Sequence, residues 1–68
     1  MVPIAVQSRI IKSIRFDPSD GRLHLRLANG EERLFEGVTL GAVAELVEAP
    51  SPGTHYIQRF RREQRRVA

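Results

Sequence analysis

The fold is decided by the stretch RLHLRLANGEERLF, residues 22–35. Leucine occupies every second position from Leu23 to Leu27, the pattern of a strand with one buried face. Asn29-Gly30 follows and is a strong hairpin signal, because glycine adopts positive φ without a Cβ clash. A second strand, from Glu31 to Phe35, is therefore predicted to run back beside the first.

Two registers are open for this hairpin. A two-residue loop sets Arg26 opposite Arg33 and leaves Phe35 on the outer face. A three-residue loop over residues 28–30 sets Arg26 opposite Glu32 and turns Phe35 inward. Directly opposed like charges destabilise a sheet, and burying Phe35 is favourable, so the three-residue loop is the preferred prediction.

Another strand is predicted upstream, from Ser8 to Asp17. Ile11 does not fit its alternation, which indicates a bend or bulge at that point. The turn residues 17–21 read DPSDG and are dense in turn chemistry. A four-residue loop there sets Phe16 opposite Leu23, which places large apolar groups on a common face.

Two helical segments are predicted downstream. Thr39 is a suitable N-cap, and apolar residues at helical spacing continue to about Glu48, before two prolines end the helix. A second segment from Thr54 carries Tyr56 and Phe60 four residues apart, a spacing that lets both pack on the rim of the sheet.

These patterns predict an α+β fold: a three-stranded antiparallel β-meander packed by one α-helix, followed by a short basic C-terminal helix. Residues 1–68 are expected to form a single domain, with a core over about residues 6–61 and a basic tail over residues 59–68.

Composition excludes several function classes. The 68 residues contain no cysteine, which excludes disulfides and thiolate metal sites and suits a reducing compartment. No segment approaches the roughly 20 apolar residues of a membrane span, so a cytoplasmic protein without membrane contact is expected. No nucleophile elbow, phosphate loop or paired-histidine metal spacing is present, and we predict no catalytic residue, no cofactor and no metal site.

Positive charge is concentrated at the C-terminal end. Residues 1–58 hold six Lys/Arg and seven Asp/Glu, whereas residues 59–68 hold five Arg and one Glu. Arginine is the fork-shaped cation that suits phosphate recognition, and a cluster of this kind can neutralise phosphates and release counterions. The competing interpretation, a solvated helix end, is equally compatible with the sequence.

Nucleic acid is the ligand class that this distribution favours. The predicted phosphate contacts are Arg59, Arg61, Arg62, Arg65 and Arg66. Secondary candidates for base stacking and phosphate contact are Arg15, His24, Arg26 and Tyr56. For the sheet surface, an ordinary solvated face with Arg26 paired to Glu32 is the simpler expectation. Terminal guanidinium groups locked in ion pairs with the chain's own carboxylates would remove the nucleic-acid interpretation.

Protein interaction is the alternative. A three-stranded sheet has open edges, and a short chain often completes its core against a second copy or a host protein. Tyr56, Ile57 and Phe60 are candidate contacts for such a partner.

Taken in order, the chain resembles the KTSC domain, a module of about this size found at the C-terminus of some lysyl-tRNA synthetases and as small stand-alone bacterial proteins. The family pattern Ser-x-x-Ile-x-x-Ile-x-Tyr-Asp is matched by Ser8, Ile11, Ile14, Phe16 and Asp17. Later parts of the pattern are matched by Gly21, Leu23, Leu25, Leu27, Gly30, Val38, Ala49, Ser51, Gly53, His55, Tyr56, Phe60 and Arg61.

The resemblance covers about residues 6–61 and implies a binding module for which an RNA ligand has been suggested. Two positions depart from the pattern. The central Tyr-x-Tyr of the family falls on Arg33-Leu34-Phe35, so its first aromatic residue is absent. An asparagine that follows an aromatic pair in the family is replaced by Ile57.

Overall fold

In the computed structural model, which describes residues 1–67, the chain forms one antiparallel sheet of five strands in sequential order. The strands are β1 (Val2–Ile4), β2 (Ile11–Asp17), β3 (Arg22–Leu27), β4 (Glu32–Glu36) and β5 (Arg65–Arg66). The predicted meander is the centre of this sheet, β2 to β4. Ala68, the last residue of the predicted domain, lies outside the described residues.

The hairpin between β3 and β4 has the three-residue loop and the predicted register. Leu27 N–H donates to the Glu31 carbonyl at 2.8 Å, and Gly30 takes a φ of 91°. Arg26 lies opposite Glu32, and Leu23 lies opposite Phe35. Phe35 is therefore fully buried.

The β2–β3 hairpin also follows the sequence prediction. The pairing shifts between Ile11 and Ser13, where the alternation failed. Asp17 lies opposite Arg22, and the Gly21 N–H closes the loop on the Asp17 carbonyl at 2.9 Å. Phe16 consequently faces Leu23 across the two strands.

The edges of the sheet correct the predicted three-stranded architecture. β1 pairs with β2, so that Val2 lies opposite Phe16. β5 pairs with β4, where Phe35 lies opposite Arg66. Neither edge strand exceeds three residues. Such short strands carry no periodicity of their own, and they form because the edges of the meander offer unpaired backbone groups.

The basic tail is consequently not a helix throughout. Helix α1 (Leu40–Glu48) begins at Thr39, whose Oγ1 accepts from the Ala42 N–H at 3.1 Å, as predicted. After it come α2 (Pro52–His55), a π-helical segment (Tyr56–Phe60) and α3 (Arg61–Glu63), which run on without a break. We call residues 52–63 the C-terminal helix. The two arginines of β5 lie beyond its end, in a strand.

Both helices pack on the same face of the sheet, which we call the inner face. Phe35 contacts Phe60 edge to face, with ring centroids 5.3 Å apart, and lies in the same way against Tyr56 at 6.3 Å. Leu46 of α1 is also fully buried in this core. Within residues 1–67, no helix has the length and apolarity to cross a membrane.

Candidate nucleic-acid interface

The predicted contact residues fall on two separate parts of the molecule. Arg15 and His24 face each other across β2 and β3, on the side of the sheet that no described helix covers. We call this side the outer face. Arg26, in the next row of β3, shares it. The C-terminal arginines lie instead on the C-terminal helix and on β5.

Both carboxylates that β4 places on the outer face lie next to a basic side chain. His24 Nε2 lies 3.0 Å from Glu32 Oε1. This contact replaces the expected Arg26–Glu32 ion pair: Arg26 is opposite Glu32 in register, but the carboxylate turns to the neighbouring histidine. Among residues 1–67, Arg15 and Arg26 have no ion pair or side-chain hydrogen bond.

Arg59 and Arg65 pair with the chain's own carboxylates. Arg59 lies 3.5 Å from Glu63 one turn along the helix, and Arg65 Nε lies 3.1 Å from Glu36 on β4. The four side chains are between 40% and 80% exposed, and ion pairs in water contribute little stability. These contacts can exchange for phosphate oxygens, so they do not fulfil the condition that would remove the nucleic-acid interpretation.

The remaining terminal arginines differ in their surroundings. Arg61 Nε donates to the Ile57 carbonyl at 3.0 Å, which orients the guanidinium along the helix. Arg62 is exposed and makes no hydrogen bond or ion pair within the described part of the chain. Arg66, on the inner-face row of β5, lies near Glu31 and contributes to that residue's electrostatics.

Tyr56 belongs to the core rather than to an exposed surface. It is 5% exposed and packs against Phe35 and Phe60. Its ring is therefore not presented for stacking on a base, and we leave it out of the exposed interface.

Three arginines meet at a cleft of about 380 Å³ between the C-terminal helix and the strands of the inner face. We call it the arginine cleft. It is lined by Ile10, Leu27, Asn29, Glu31, Arg33, Tyr56, Ile57, Arg61 and Arg66. The loop of the β3–β4 hairpin forms one wall, and the turn of helix that carries Ile57 and Arg61 forms the other.

Glu31 is the one carboxylate among the cleft residues that the structure describes, and its partners hold it in place. It forms an ion pair with Arg33 and accepts from Asn29 Nδ2 at 3.0 Å. The hydrogen bond and charge of Arg33 lower the pKa of Glu31, with smaller contributions from Asn29 and Arg66. The carboxylate stays ionised, and the described residues that line the cleft include three arginines beside it.

Arg33 is the residue that the sequence prediction missed. It occupies an inner-face position opposite Leu25, where an apolar side chain is the rule. The preferred hairpin register turns Phe35 inward and therefore also Arg33, two residues before it. This register was the feature of the sequence from which the inner-face position of Arg33 could have been predicted. Nothing local to Arg33 indicates that Arg61 and Arg66 come to the same cleft, because that depends on β5 pairing with β4.

Two comparisons place the chain among known proteins. The family model of the KTSC domain matches residues 7–63. A protein of Stutzerimonas stutzeri (strain A1501), described as an uncharacterized protein, is 33% identical over 61 residues, which cover 90% of this chain and 86% of that protein.

Proposed function

The chain belongs to the KTSC domain family, and for this member we propose a non-catalytic role as an RNA-binding module. The observation that carries the proposal is the group of five exposed arginines within residues 59–66, on a body whose remaining charges nearly cancel. The ligand is tRNA or a single strand, and the compartment is the cytoplasm.

Rigid placement supports this role. Arg59, Arg61 and Arg62 project from a helix that Phe60 anchors in the core, and β5 holds the next two arginines beside β4. An array of guanidinium groups on fixed backbone loses less conformational entropy on binding than a disordered tail. The ion pairs of this region are exposed and are therefore easily exchanged for phosphate contacts.

The test is fluorescence anisotropy of labelled single-stranded RNA and tRNA with the full chain over a salt series. Phosphate contacts release counterions, so the logarithm of affinity should fall with the logarithm of salt by about 0.7 for each phosphate neutralised on a single strand. Absence of binding at low salt would overturn the proposal.

A charge-matched pair of variants assigns the binding surface. Deleting residues 59–68 is unsuitable because it removes Phe60, which is 1% exposed, together with β5. Instead, the five terminal arginines are replaced by glutamine in the full chain. The control replaces five cations of the body, Arg9, Lys12, Arg15, Arg22 and Arg26. We expect the terminal variant to lose far more affinity, and equal losses would contradict the assignment to the C-terminal region.

The protein-interaction alternative has less support. Two of its three candidate contacts, Tyr56 and Phe60, are buried against the chain's own sheet, whereas Ile57 is 36% exposed. Short strands occupy both edges of the meander. Sedimentation of the purified protein distinguishes the two roles, because a self-associating module would gain mass with concentration at any salt.

A further inference from the structure

We propose that the arginine cleft takes up one nucleotide of an unpaired RNA strand, with its phosphate between Arg61 and Arg66 and its base against Ile10 and Ile57. The inference rests on the RNA-binding role proposed above and names the position at which that role is anchored.

The arrangement of charge favours a phosphate at this place. Arg33, Arg61 and Arg66 come from β4, the C-terminal helix and β5, and among the described residues that line the cleft with them Glu31 is the one carboxylate. Glu31 is engaged by Arg33 and Asn29 on the hairpin side of the cleft. Arg61 has no carboxylate partner within residues 1–67, and a planar guanidinium can bind two phosphate oxygens at once.

Arg61 is already oriented for such a contact. Its Nε–H donates to the Ile57 carbonyl at 3.0 Å, and its terminal nitrogens have no hydrogen bond within residues 1–67. One bond to the backbone restricts the side chain, so less rotamer entropy remains to be lost when a phosphate binds.

An apolar surface lies beside these arginines. Ile10 is 37% exposed and Ile57 is 36% exposed, and both line the cleft. Apolar side chains next to guanidinium groups suit a nucleotide, whose base is flat and weakly polar on its faces and whose phosphate is charged.

The size of the cleft selects an unpaired strand. A volume of about 380 Å³ is at the lower end of the range of roughly 300–1,000 Å³ for ligand pockets and suits a single nucleotide. In a duplex the bases are stacked and paired inside the helix, so only an unpaired nucleotide can present its base to the cleft.

The first experiment compares two double variants of equal charge. Arg61→Gln with Arg66→Gln removes two cleft arginines, whereas Arg9→Gln with Lys12→Gln removes two exposed cations of the body that do not line the cleft. For a short single-stranded RNA, we expect the cleft variant to bind about tenfold or more weakly, as for lost charge-assisted hydrogen bonds. The control should lose no more than about threefold, in line with screened surface charge.

Equal losses in the two variants would overturn the cleft assignment and leave the RNA-binding role standing. Duplex RNA of the same length bound as tightly as the single strand would also overturn it. Amide spectra of both variants establish that they are folded, which is expected because all four side chains are exposed.

The apolar part of the cleft is tested by a second variant and a matched control. Ile57→Ser removes cleft surface, and Leu40→Ser removes an exposed leucine of α1 that does not line the cleft. We expect Ile57→Ser to weaken single-strand binding by about threefold from lost apolar contact, and Leu40→Ser to leave it unchanged. An unchanged affinity of Ile57→Ser would overturn the base contact.

Titration of the labelled full chain with a nucleoside monophosphate, and separately with inorganic phosphate, distinguishes failure of the cleft from failure of RNA binding. Amide shifts at Arg61, Arg66 and Ile57 with the nucleotide support the cleft, even if no oligonucleotide binds, in which case the RNA role is overturned. Identical shifts with inorganic phosphate alone would overturn the base contact.

Discussion

The outer face and the arginine cleft both carry several basic side chains, but the two regions differ in how many carboxylates lie beside them. On the outer face, Glu32 and Glu36 lie 3.0 and 3.1 Å from His24 and Arg65, respectively. Among the described residues that line the arginine cleft there are three arginines and one glutamate. The two carboxylates of β4 on the outer face are therefore each taken up by a neighbouring basic side chain, whereas the arginines of the cleft outnumber its described carboxylate.

The difference has a structural origin. Neighbouring strands place cross-strand partners about 5 Å apart, so acids and bases that alternate along β3, β4 and β5 meet in pairs. The cleft instead receives its arginines from three elements that are distant in sequence, and the hairpin loop supplies its described carboxylate. A count of charges in the sequence does not separate these two outcomes, because only the fold decides which charges become neighbours.

The largest expected effect is on folding stability, which should fall far more for a substitution on the inner face than for one on the outer face. Phe35→Ala should cost about 3–5 kcal/mol, because it opens a cavity under Phe60 and Tyr56. A domain of this size has on the order of 3–10 kcal/mol of stability, so the variant should be largely unfolded. Leu34→Ala, one residue away on the outer face, should cost less than about 1.5 kcal/mol. Urea unfolding measures both, and equal losses would contradict a core confined to the inner face.

The next prediction is that RNA affinity depends more on the arginines of the cleft than on those of the outer face. Arg61→Gln with Arg66→Gln should weaken single-strand binding by about tenfold. Arg15→Gln with Arg26→Gln, the outer-face pair of equal charge, should weaken it by about twofold through net charge alone. Anisotropy at one fixed salt concentration gives both values. A larger loss from the outer-face pair would move the RNA to the open side of the sheet.

A smaller loss of stability is expected where the C-terminal helix packs against the connection between β1 and β2. A Cβ on Gly53 would lie 3.0 Å from Ile10 Cβ and 3.0 Å from Ser8 Oγ. Ser8 Oγ also accepts from the Ile10 and Ile11 N–H groups at 3.1 Å, so the loop has little room to move. Gly53→Ala should therefore cost about 1–2 kcal/mol by overpacking. Gly41→Ala, whose Cβ would meet only Thr39 Oγ1 at 3.8 Å, is the control and should be neutral or stabilising in thermal unfolding.

The smallest effect concerns acid stability at a turn far from the cleft. The Ser19 hydroxyl and N–H donate to Asp17 Oδ1 at 2.6 and 3.0 Å, and these bonds hold the pKa of Asp17 below its ordinary value of 3.8. A lowered folded pKa contributes stability that is present above pH 3.8 and is lost as the pH falls through the folded value.

Asp17→Asn lacks the ionised carboxylate at every pH, so it should lower the melting temperature at pH 7 and reduce its fall between about pH 4 and pH 2, where the two proteins converge. Melting curves at several pH values test this. An unchanged slope would assign the acid sensitivity to other carboxylates, Glu31 among them.

The sequence predicted the centre of the fold because each decision there was local. The opposition of Arg26 to Glu32 rather than Arg33 selected the hairpin register, and the structure confirms it. Thr39 marked the start of α1, and the failed alternation at Ile11 marked the bulge. Each of these signals acts between residues that are close in sequence or directly paired.

The edges and the cleft were not predictable in the same way. Val2–Ile4 and Arg65–Arg66 are too short to show a strand period, and they pair only because the meander leaves its edges open. Composition identified the terminal arginines as a basic cluster. Where Arg65 and Arg66 lie was not predictable, because the pairing of β5 with β4 places Arg65 on the outer face and Arg66 at the cleft. The predicted packing of Tyr56 and Phe60 against the sheet is confirmed, and it leaves the Tyr56 ring unavailable for the base contact that was also considered for it.

Amide chemical-shift mapping of the labelled full chain with a short single-stranded RNA tests the central claim most directly. The account predicts the largest shifts at Arg33, Ile57, Arg61 and Arg66, with small changes at Arg15, His24 and Arg26. Largest shifts on the outer face, or none at low salt, would contradict it.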